Sequence, residues 1–346
     1  MSLRGKLTVA AIVLACALSV TMPLVSEVGA KRVEPPIVST EQKIETEPQT
    51  TPAPVITTEK APKPDEQTIT VGVHLTDEDV VVQMTLEEYI TCVVAAEMPY
   101  TFYTEALKAQ AVAARTYCIY KLYEGSDHGN GAEVCSDYSH CAAFVTRDDL
   151  LERYGEQVTN SIVTKISNAV RDTEGQILTY DNKPILAVFH SRSYKYTESS
   201  LNIWGGYRPY LVSVPTPEED SISSVTLSDS QISELFSSAS AVECVTSVKK
   251  VLTSEKNDSG RQSTVAYNGK MVKAKLFRSV FGFRSTVFEY EKTEDGYVFT
   301  IHGYGHGVGM SQYGANEMAK NGAEYDEILT HYYTGVSFST ASEFFK

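Results

Sequence analysis

The sequence predicts an α+β fold, with mixed helices and antiparallel hairpins arranged as two packed lobes around a cleft. Residues 69–83 alternate in hydrophobicity around a Thr-Asp-Glu-Asp turn, the pattern of a β-hairpin. Thr85 and Glu88 then form a capping box that opens a helix in the stretch TLEEYITCVVAAEM. Turns at 258–260 and 268–269 separate further strands. Helices and hairpins therefore occur in the same region of the chain.

The first 68 residues are predicted to lie outside this fold. Arg4 and Lys6 precede an apolar run over 7–25, which is long enough to cross a bilayer as a helix. Residues 1–30 are therefore a membrane anchor or a cleaved signal segment. Residues 31–68 hold seven of the 13 prolines and many Thr and Glu, which predicts a disordered linker. Residues 69–346 are then an extracytoplasmic catalytic region, held at the cell membrane by a single-pass helix.

The chain is acidic, with a formal net charge of −14. This charge argues against a nucleic acid as the partner. It also means that an anionic substrate would need a local basic pocket.

Glu97 is the candidate catalytic residue. It lies among Val, Ala and Met side chains, two residues before Pro99, which ends the helix. Apolar neighbours raise the pKa of a carboxyl group, so that it can donate a proton near neutral pH. A second helix is expected from near Thr104 to near Gly125. Lys108 and Arg115 fall about two turns apart on one face of it, and we predict that they bind an anionic substrate. The alternative from periodicity is an ordinary helical hairpin with solvated charges.

A group of cysteines and histidines follows within fourteen residues: His128, Cys135, His140 and Cys141. Two thiolates and two imidazoles can complete a tetrahedral zinc site. A disulfide between Cys135 and Cys141 is the alternative in an oxidising compartment. The spacing does not decide between metal and disulfide. Three other cysteines, Cys92, Cys118 and Cys244, have apolar neighbours and are predicted to be buried thiols.

Later segments mix polar and aromatic residues, which suits sugars. We expect a helix at 159–172, strands at 176–180 and 185–189, and a capped helix at 228–237. Trp204, the only tryptophan, is expected in the core rather than as a platform on which a sugar stacks. The glycine-rich stretch 303–322 predicts a tight loop, in which His306 either binds substrate or caps the helix that opens near Ser311. The candidate substrate-binding residues in these segments are His190, Ser191, Tyr194, His306, Gln312 and Tyr313.

Several motifs together resemble the stage II sporulation protein D family. They are AAEMPYTFYTEALKAQAVAARTY, AVFHSRSYKYTES with the following WGG, PYLVSVPTP, FGFRST and GHGVGMSQYGA. The resemblance covers most of residues 69–338. One segment departs from the family: where many members have His-Ser-Thr-Ser-Gly-Gly, this chain has residues 190–195, ending in Tyr194 and Lys195.

The resemblance implies a lytic transglycosylase that cuts peptidoglycan during forespore engulfment, on strands whose peptides an amidase partner has removed. By position, the resemblance implies that Glu97 is the family's catalytic glutamate and that Arg115 is the basic residue of its active-site helix. Zinc-containing members are similar at Cys135, His140 and Cys141, with His128 as fourth ligand, which favours structural Zn²⁺ over the disulfide. Such an enzyme needs no second carboxylate, and none is evident near Glu97. A glycan-binding scaffold without turnover is the main alternative, and a zinc hydrolase is a weaker one.

Overall fold

The computed structural model describes residues 68–125, 128, 131–138, 140–238, 240–243 and 252–344. The predicted anchor, all but the last residue of the predicted linker, and Cys244 lie outside the described residues. Within the described ranges, no helix combines the length and the apolar character that a membrane crossing requires.

The described residues form the predicted α+β fold. The helices are α1 Leu86–Glu97, α2 Thr104–Tyr123, α3 Arg147–Asp172, α4 Ser200–Trp204, α5 Asp229–Ser237, α6 Ala274–Phe281, α7 Gln312–Lys320 and α8 Tyr325–Tyr332, followed by a 3₁₀ turn, Ala341–Phe344. The strands are β1 Thr70–Leu75, β2 Val80–Thr85, β3 Val134–Cys135, β4 Gln176–Tyr180, β5 Lys183–Pro184, β6 Phe189–His190, β7 Ile222–Ser228, β8 Val242–Glu243, β9 Thr253–Lys256, β10 Gln262–Tyr267, β11 Lys270–Lys273, β12 Val287–Lys292, β13 Gly296–His302, β14 Met310–Ser311 and β15 Ser337–Thr340.

Helix α2 is the centre of the first lobe. Most of its residues are buried, and many of them are alanines. Small side chains allow close approach, and α1, α3, α7, α8 and β4 all pack on this helix. Strand β1 pairs with β2 in antiparallel and with β3 in parallel orientation, while β4 lies between β15 and β5. One contiguous apolar core joins these elements.

The second lobe is inserted into the first between β6 and β14. Its entering strand β7 and leaving strand β13 are paired along their whole length, from Ile222↔His302 to Ser228↔Gly296. A three-stranded sheet (β12-β13-β7) and a four-stranded sheet (β8-β11-β10-β9) enclose a separate core rich in phenylalanine, together with α5 and α6. The two cores confirm the predicted pair of lobes.

The local signals in the sequence predicted most elements correctly. Thr85 and Glu88 form the capping box of α1, and Met98 leaves the helical conformation just before Pro99. Helix α3 is longer than predicted, because it starts with a capping box of Thr146 and Asp149 and bends at Gly155, which has φ 73°. The predicted strand 185–189 is wrong: β5 ends at Pro184 and β6 starts at Phe189.

Candidate active site

Glu97 lies at the last residue of α1 and remains partly exposed. The backbone N–H of Ala143 donates a hydrogen bond to its Oε1 at 2.8 Å, and the Gln312 amide donates to Oε2 at 3.0 Å. Burial raises the pKa of Glu97, and the two hydrogen bonds act in the opposite direction. The group can therefore hold a proton at a higher pH than an ordinary carboxyl, while both of its oxygens still find donors when it is ionised.

Two loops bring these donors to Glu97. Ala143 follows a turn in which the N–H groups of His140 and Cys141 both donate to the Asp137 carbonyl, at 3.1 and 2.8 Å. Phe144 then stacks on Tyr89 of α1, with ring centroids 5.9 Å apart. Gln312 is the first residue of α7, just after the N-cap Ser311. Neither contact follows from sequence spacing, because the partners lie 46 and 215 residues from Glu97.

Arg115 does not lie where a substrate could reach it, which corrects its predicted substrate-binding role. Its side chain is fully buried, with Nε and Nη2 donating to Glu87 at 2.9 and 2.5 Å. Nη1 and Nη2 also donate to the carbonyls of Gln176 and Val170. Its nitrogens are thus bound within the protein, and Arg115 joins α1, α2, α3 and β4.

Lys108 shares a face with Arg115, as the spacing predicts, but that face packs on the end of α3. Its ammonium group lies 2.9 Å from Glu105 and 3.6 Å from Asp172. These carboxylates raise the pKa of Lys108. The neighbours of Lys108 are distinct from those of Glu97, and two carboxylates already balance its charge.

His190 is linked to the Glu97 region through strand pairing, because β6 and β14 align His190 with Ser311. The Val308 carbonyl lies 3.2 Å from Nδ1, and the Ser193 hydroxyl lies 2.6 Å from Nε2. A carbonyl only accepts hydrogen bonds, so Nδ1 carries the proton and Nε2 accepts from Ser193. Burial and the positive charges nearby lower the pKa of His190 well below its ordinary value. His190 is therefore neutral.

His306 lies in the glycine-rich loop with its ring 5.6 Å from those of both His190 and Trp204. Its Nδ1 accepts a hydrogen bond from the backbone N–H of Val308 at 3.0 Å. Burial and nearby cations lower the pKa of His306 to about 4, so it too is neutral at pH 7. His306 does not cap α7: the Ser311 hydroxyl does so, accepting from Gly314.

The other predicted binding residues divide into two groups. Tyr313 follows Gln312 on α7, receives the Arg192 guanidinium 3.6 Å above its ring, and donates its N–H to the Ser191 carbonyl at 3.1 Å. These residues therefore lie beside Glu97. Tyr194 instead stacks on His302 with centroids 4.6 Å apart, at the boundary with the second lobe.

The four predicted metal ligands do come together. The ligand atoms of His128, Cys135, His140 and Cys141 all lie within 4.8 Å of one another. His128 Nε2 lies 3.2 Å from Cys141 Sγ, and His140 Nδ1 lies 3.5 and 3.6 Å from the two sulfurs. A tetrahedral zinc site has ligand separations of roughly 3.3–3.8 Å, given its bond lengths. The donor set and these three nitrogen–sulfur distances therefore fit zinc, and both cysteines are free thiols in the structure.

Sequence reasoning missed three features of the site. Trp204 is 43% exposed rather than in the core. Arg192 covers Tyr313. Glu218 accepts from the Ser193 N–H and from the Ser311 hydroxyl, at 2.8 and 2.5 Å, and so fixes the start of α7. The exposed Trp204 has a signal, the adjacent Gly205-Gly206, whereas nothing in the sequence marks Glu218. The prediction of buried thiols is confirmed for Cys118, whereas Cys92 is only partly buried. Burial raises the pKa of both thiols.

The fold and site together define an α+β protein whose candidate centre is a single carboxyl group beside a cysteine–histidine cluster. Residues 75–180, which hold both features, match the stage II sporulation protein family. The stage II sporulation protein D of Bacillus amyloliquefaciens is 35% identical, over 81% of this chain and 81% of its own. That of Bacillus subtilis (strain 168) is 35% identical, over 80% of each chain. The chain therefore belongs to the stage II sporulation protein D family.

A more distant relative is named for an effect on an amidase. An amidase enhancer of Bacillus subtilis (strain 168) is 29% identical, over 72% of this chain and 40% of its own length. The family thus comprises sporulation proteins and is related to a protein named for its effect on an amidase.

Proposed function

We propose that the protein is a peptidoglycan lytic transglycosylase in which Glu97 is the catalytic acid and base. The observation that carries this proposal is the setting of Glu97: a partly exposed carboxyl whose pKa is raised by burial and which has two neutral donors. The groups that shift its pKa include no other carboxylate. Hydrolytic glycosidases normally use a pair of carboxylates, so this setting favours a reaction that needs one.

In the proposed reaction, Glu97 donates its proton to the glycosidic oxygen between N-acetylmuramic acid and N-acetylglucosamine. The 6-hydroxyl oxygen of the muramic acid then attacks its own anomeric carbon, and the bond to the leaving sugar breaks. Glu97 takes the proton of that hydroxyl, which regenerates the acid and leaves a 1,6-anhydro ring. An internal nucleophile has a high effective concentration, so no activated water is required.

Gln312 and Ala143 hold the carboxyl group in place during this exchange. Both donate to Glu97 and therefore stabilise its ionised form, which opposes the effect of burial. A group that gives and then recovers a proton needs both protonation states within reach. His190 and His306 are neutral, so neither is proposed to transfer protons. His306 is proposed to contact substrate, with Ser191, Tyr194 and Tyr313. His190 is buried with both ring nitrogens bound within the protein, so its proposed role is to hold the glycine-rich loop through the Val308 carbonyl rather than to contact substrate.

The cysteine–histidine cluster is proposed to hold structural zinc. The ligands would be His128, Cys135, His140 and Cys141, and four protein ligands leave no position for a reactive water. The ion would crosslink the loop that ends at Ala143, whose N–H reaches Glu97. Its contribution is therefore to the geometry of this loop.

The biological setting is proposed from the family and from the N-terminal sequence. Relatives are named for sporulation and one for amidase enhancement, which supports a role in forespore engulfment on strands that an amidase has stripped of peptides. The apolar run over 7–25 supports an anchor in the cell membrane, with residues 69–346 outside the cytoplasm.

The experiment is digestion of intact and amidase-treated peptidoglycan, with the products identified by mass spectrometry. The protein should release 1,6-anhydro ends from the amidase-treated material, and Glu97→Gln should release none while retaining its fold. Glu152→Gln, an exposed change of the same type on α3, is the matched control. Normal turnover by Glu97→Gln would refute the assignment. Binding without cleavage by the unaltered protein would indicate a glycan-binding scaffold.

A further inference from the structure

Arg261, just before β10, is a buried cation without a hydrogen-bond partner in the part of the chain that the structure describes. Its residue is 1% exposed, and Nε, Nη1 and Nη2 have no hydrogen-bond partner among the described residues. Burial lowers the pKa of Arg261 to about 10, so it remains charged at neutral pH. A buried charge without partners costs stability, and such groups are retained mainly where they serve a ligand.

The position of Arg261 is fixed by the glycine-rich loop. Gly307 has φ +85°, and a Cβ on it would collide with the Arg261 guanidinium. Glycine is therefore required there both by its backbone conformation and by the side chain that packs on it. This places the guanidinium directly beneath the loop that carries His306.

Glu198 is the carboxylate that acts on the pKa of Arg261, but it does not neutralise the guanidinium charge. Glu198 raises the pKa of Arg261 but makes no ion pair with it within the described part of the chain. Its oxygens already accept from the Ser199 N–H at 2.7 Å and from the side chains of Asn202 and Asn257 at 2.9 and 2.6 Å, and from the Ser259 hydroxyl. The Glu198 charge is thus stabilised by four other donors.

Two further cations lie on α6, and their charges act on His306 of the same loop. Arg278 is half-buried and donates through Nε to the Phe283 carbonyl at 3.1 Å, and Lys275 is exposed. Neither has an ion-pair partner in the described ranges. The charges of Arg278, Arg261 and Lys275 all lower the pKa of His306. An acidic protein therefore carries a local region of positive potential around the His306 ring.

The same ring forms part of an exposed aromatic surface. Trp204 lies 5.6 Å from His306 and is 43% exposed. Its flat apolar face suits stacking of a sugar ring. The surface is connected to the catalytic region, because β6 and β14 place His190, which contacts His306, opposite Ser311, the residue before Gln312.

We propose that Arg261, Lys275 and Arg278, with His306 and Trp204, form a subsite that binds the lactyl carboxylate of a peptide-free muramic acid. The inference rests on the proposed function and names the lactyl carboxylate as the group of the glycan strand that the protein recognises. A muramic acid that still bears its peptide has an amide in place of this carboxylate and so lacks the charge. Removal of the peptide therefore creates the anion that this cluster binds. Arg115 is not needed for it, because its guanidinium nitrogens are already bound to Glu87 and to backbone carbonyls.

The test is a binding measurement on the Glu97→Gln protein, which leaves the probes uncleaved. One probe is amidase-stripped glycan; the other is the same glycan with its carboxylates reduced to alcohols. The Glu97→Gln protein, the parent for the further variants, should bind the carboxylate form about tenfold more tightly than the reduced form, which is the effect of one charge-assisted hydrogen bond. Lys275→Gln with Arg278→Gln should abolish this preference. Lys183→Gln, an exposed lysine on β5, should leave it unchanged.

Arg261→Met separates binding from folding. Removal of an unpartnered buried charge should leave the melting temperature unchanged or higher, while the preference for carboxylate is lost. Retained preference in both Arg261→Met and the double variant would overturn the subsite, as would equal binding of the two probes by the parent. Anhydro products formed equally well from reduced glycan would overturn the subsite alone, whereas loss of all cleavage by the unaltered protein would overturn the proposed function.

Discussion

The role of Arg115 can be decided by its effect on stability. The structure makes it a buried partner of Glu87 that also binds two backbone carbonyls, and we therefore expect Arg115→Gln to destabilise the fold. Loss of one partner of a buried ion pair costs roughly 3–5 kcal/mol. The Glu87 side chain is 29% exposed and can be rehydrated in part, which places the expected cost at about 3 kcal/mol, the lower end of that range.

The assay is thermal or urea unfolding, combined with a double-mutant cycle. For a domain of this size, about 3 kcal/mol lowers the melting temperature by roughly 6–12 °C. Glu87→Gln and Arg115→Gln should show a coupling energy of about 2 kcal/mol. Cleavage measured well below the melting temperature should be affected far less than stability. If Arg115→Gln has the normal melting temperature but no cleavage activity, this reasoning is refuted and Arg115 binds substrate instead.

Three further predictions concern Glu97 and the metal. Because the folded-state pKa of Glu97 is raised, the stability that it contributes is present below its unfolded pKa and is lost as pH rises through the folded pKa. Glu97→Gln should therefore have a higher melting temperature than the unaltered protein at pH 8 and the same melting temperature at pH 4. Equal melting temperatures at both pH values would contradict the burial argument. Gln312→Met removes a donor to the carboxylate, so the alkaline limb of the pH–rate profile should move to higher pH; an unchanged limb would exclude Gln312 from setting the pKa. A chelator should lower both melting temperature and cleavage, and added zinc should restore them; sensitivity to a reductant but not to a chelator would indicate a Cys135–Cys141 disulfide instead.

Local signals explain which parts of the fold were predicted from sequence. Thr85, Glu88 and Pro99 set the ends of α1 through contacts within a few residues, and these ends are as expected. The turn at Asn268-Gly269 likewise joins β10 to β11. The hydrophobic pattern predicts too short a helix α3, because Gly155 interrupts it, whereas the capping box of Thr146 and Asp149 starts the helix further upstream.

The site was predictable only in its residue types. The apolar neighbours of Glu97 predicted its raised pKa, but its donors Ala143 and Gln312 come from distant segments. Helical spacing placed Lys108 and Arg115 on one face correctly. It could not show that this face packs on α3 and that Glu87, 28 residues away, holds Arg115. The charge of Arg115 alone therefore predicts a substrate contact, whereas in the fold Arg115 forms a buried ion pair with Glu87.

The central claim is that a single carboxyl group cleaves the strand with the sugar's own hydroxyl as the nucleophile. It is tested most directly by digestion of amidase-stripped glycan in water enriched in heavy oxygen, followed by mass spectrometry of the new ends. We predict anhydro ends that contain no solvent oxygen. Reducing ends that carry one heavy oxygen atom would show hydrolysis and contradict the claim.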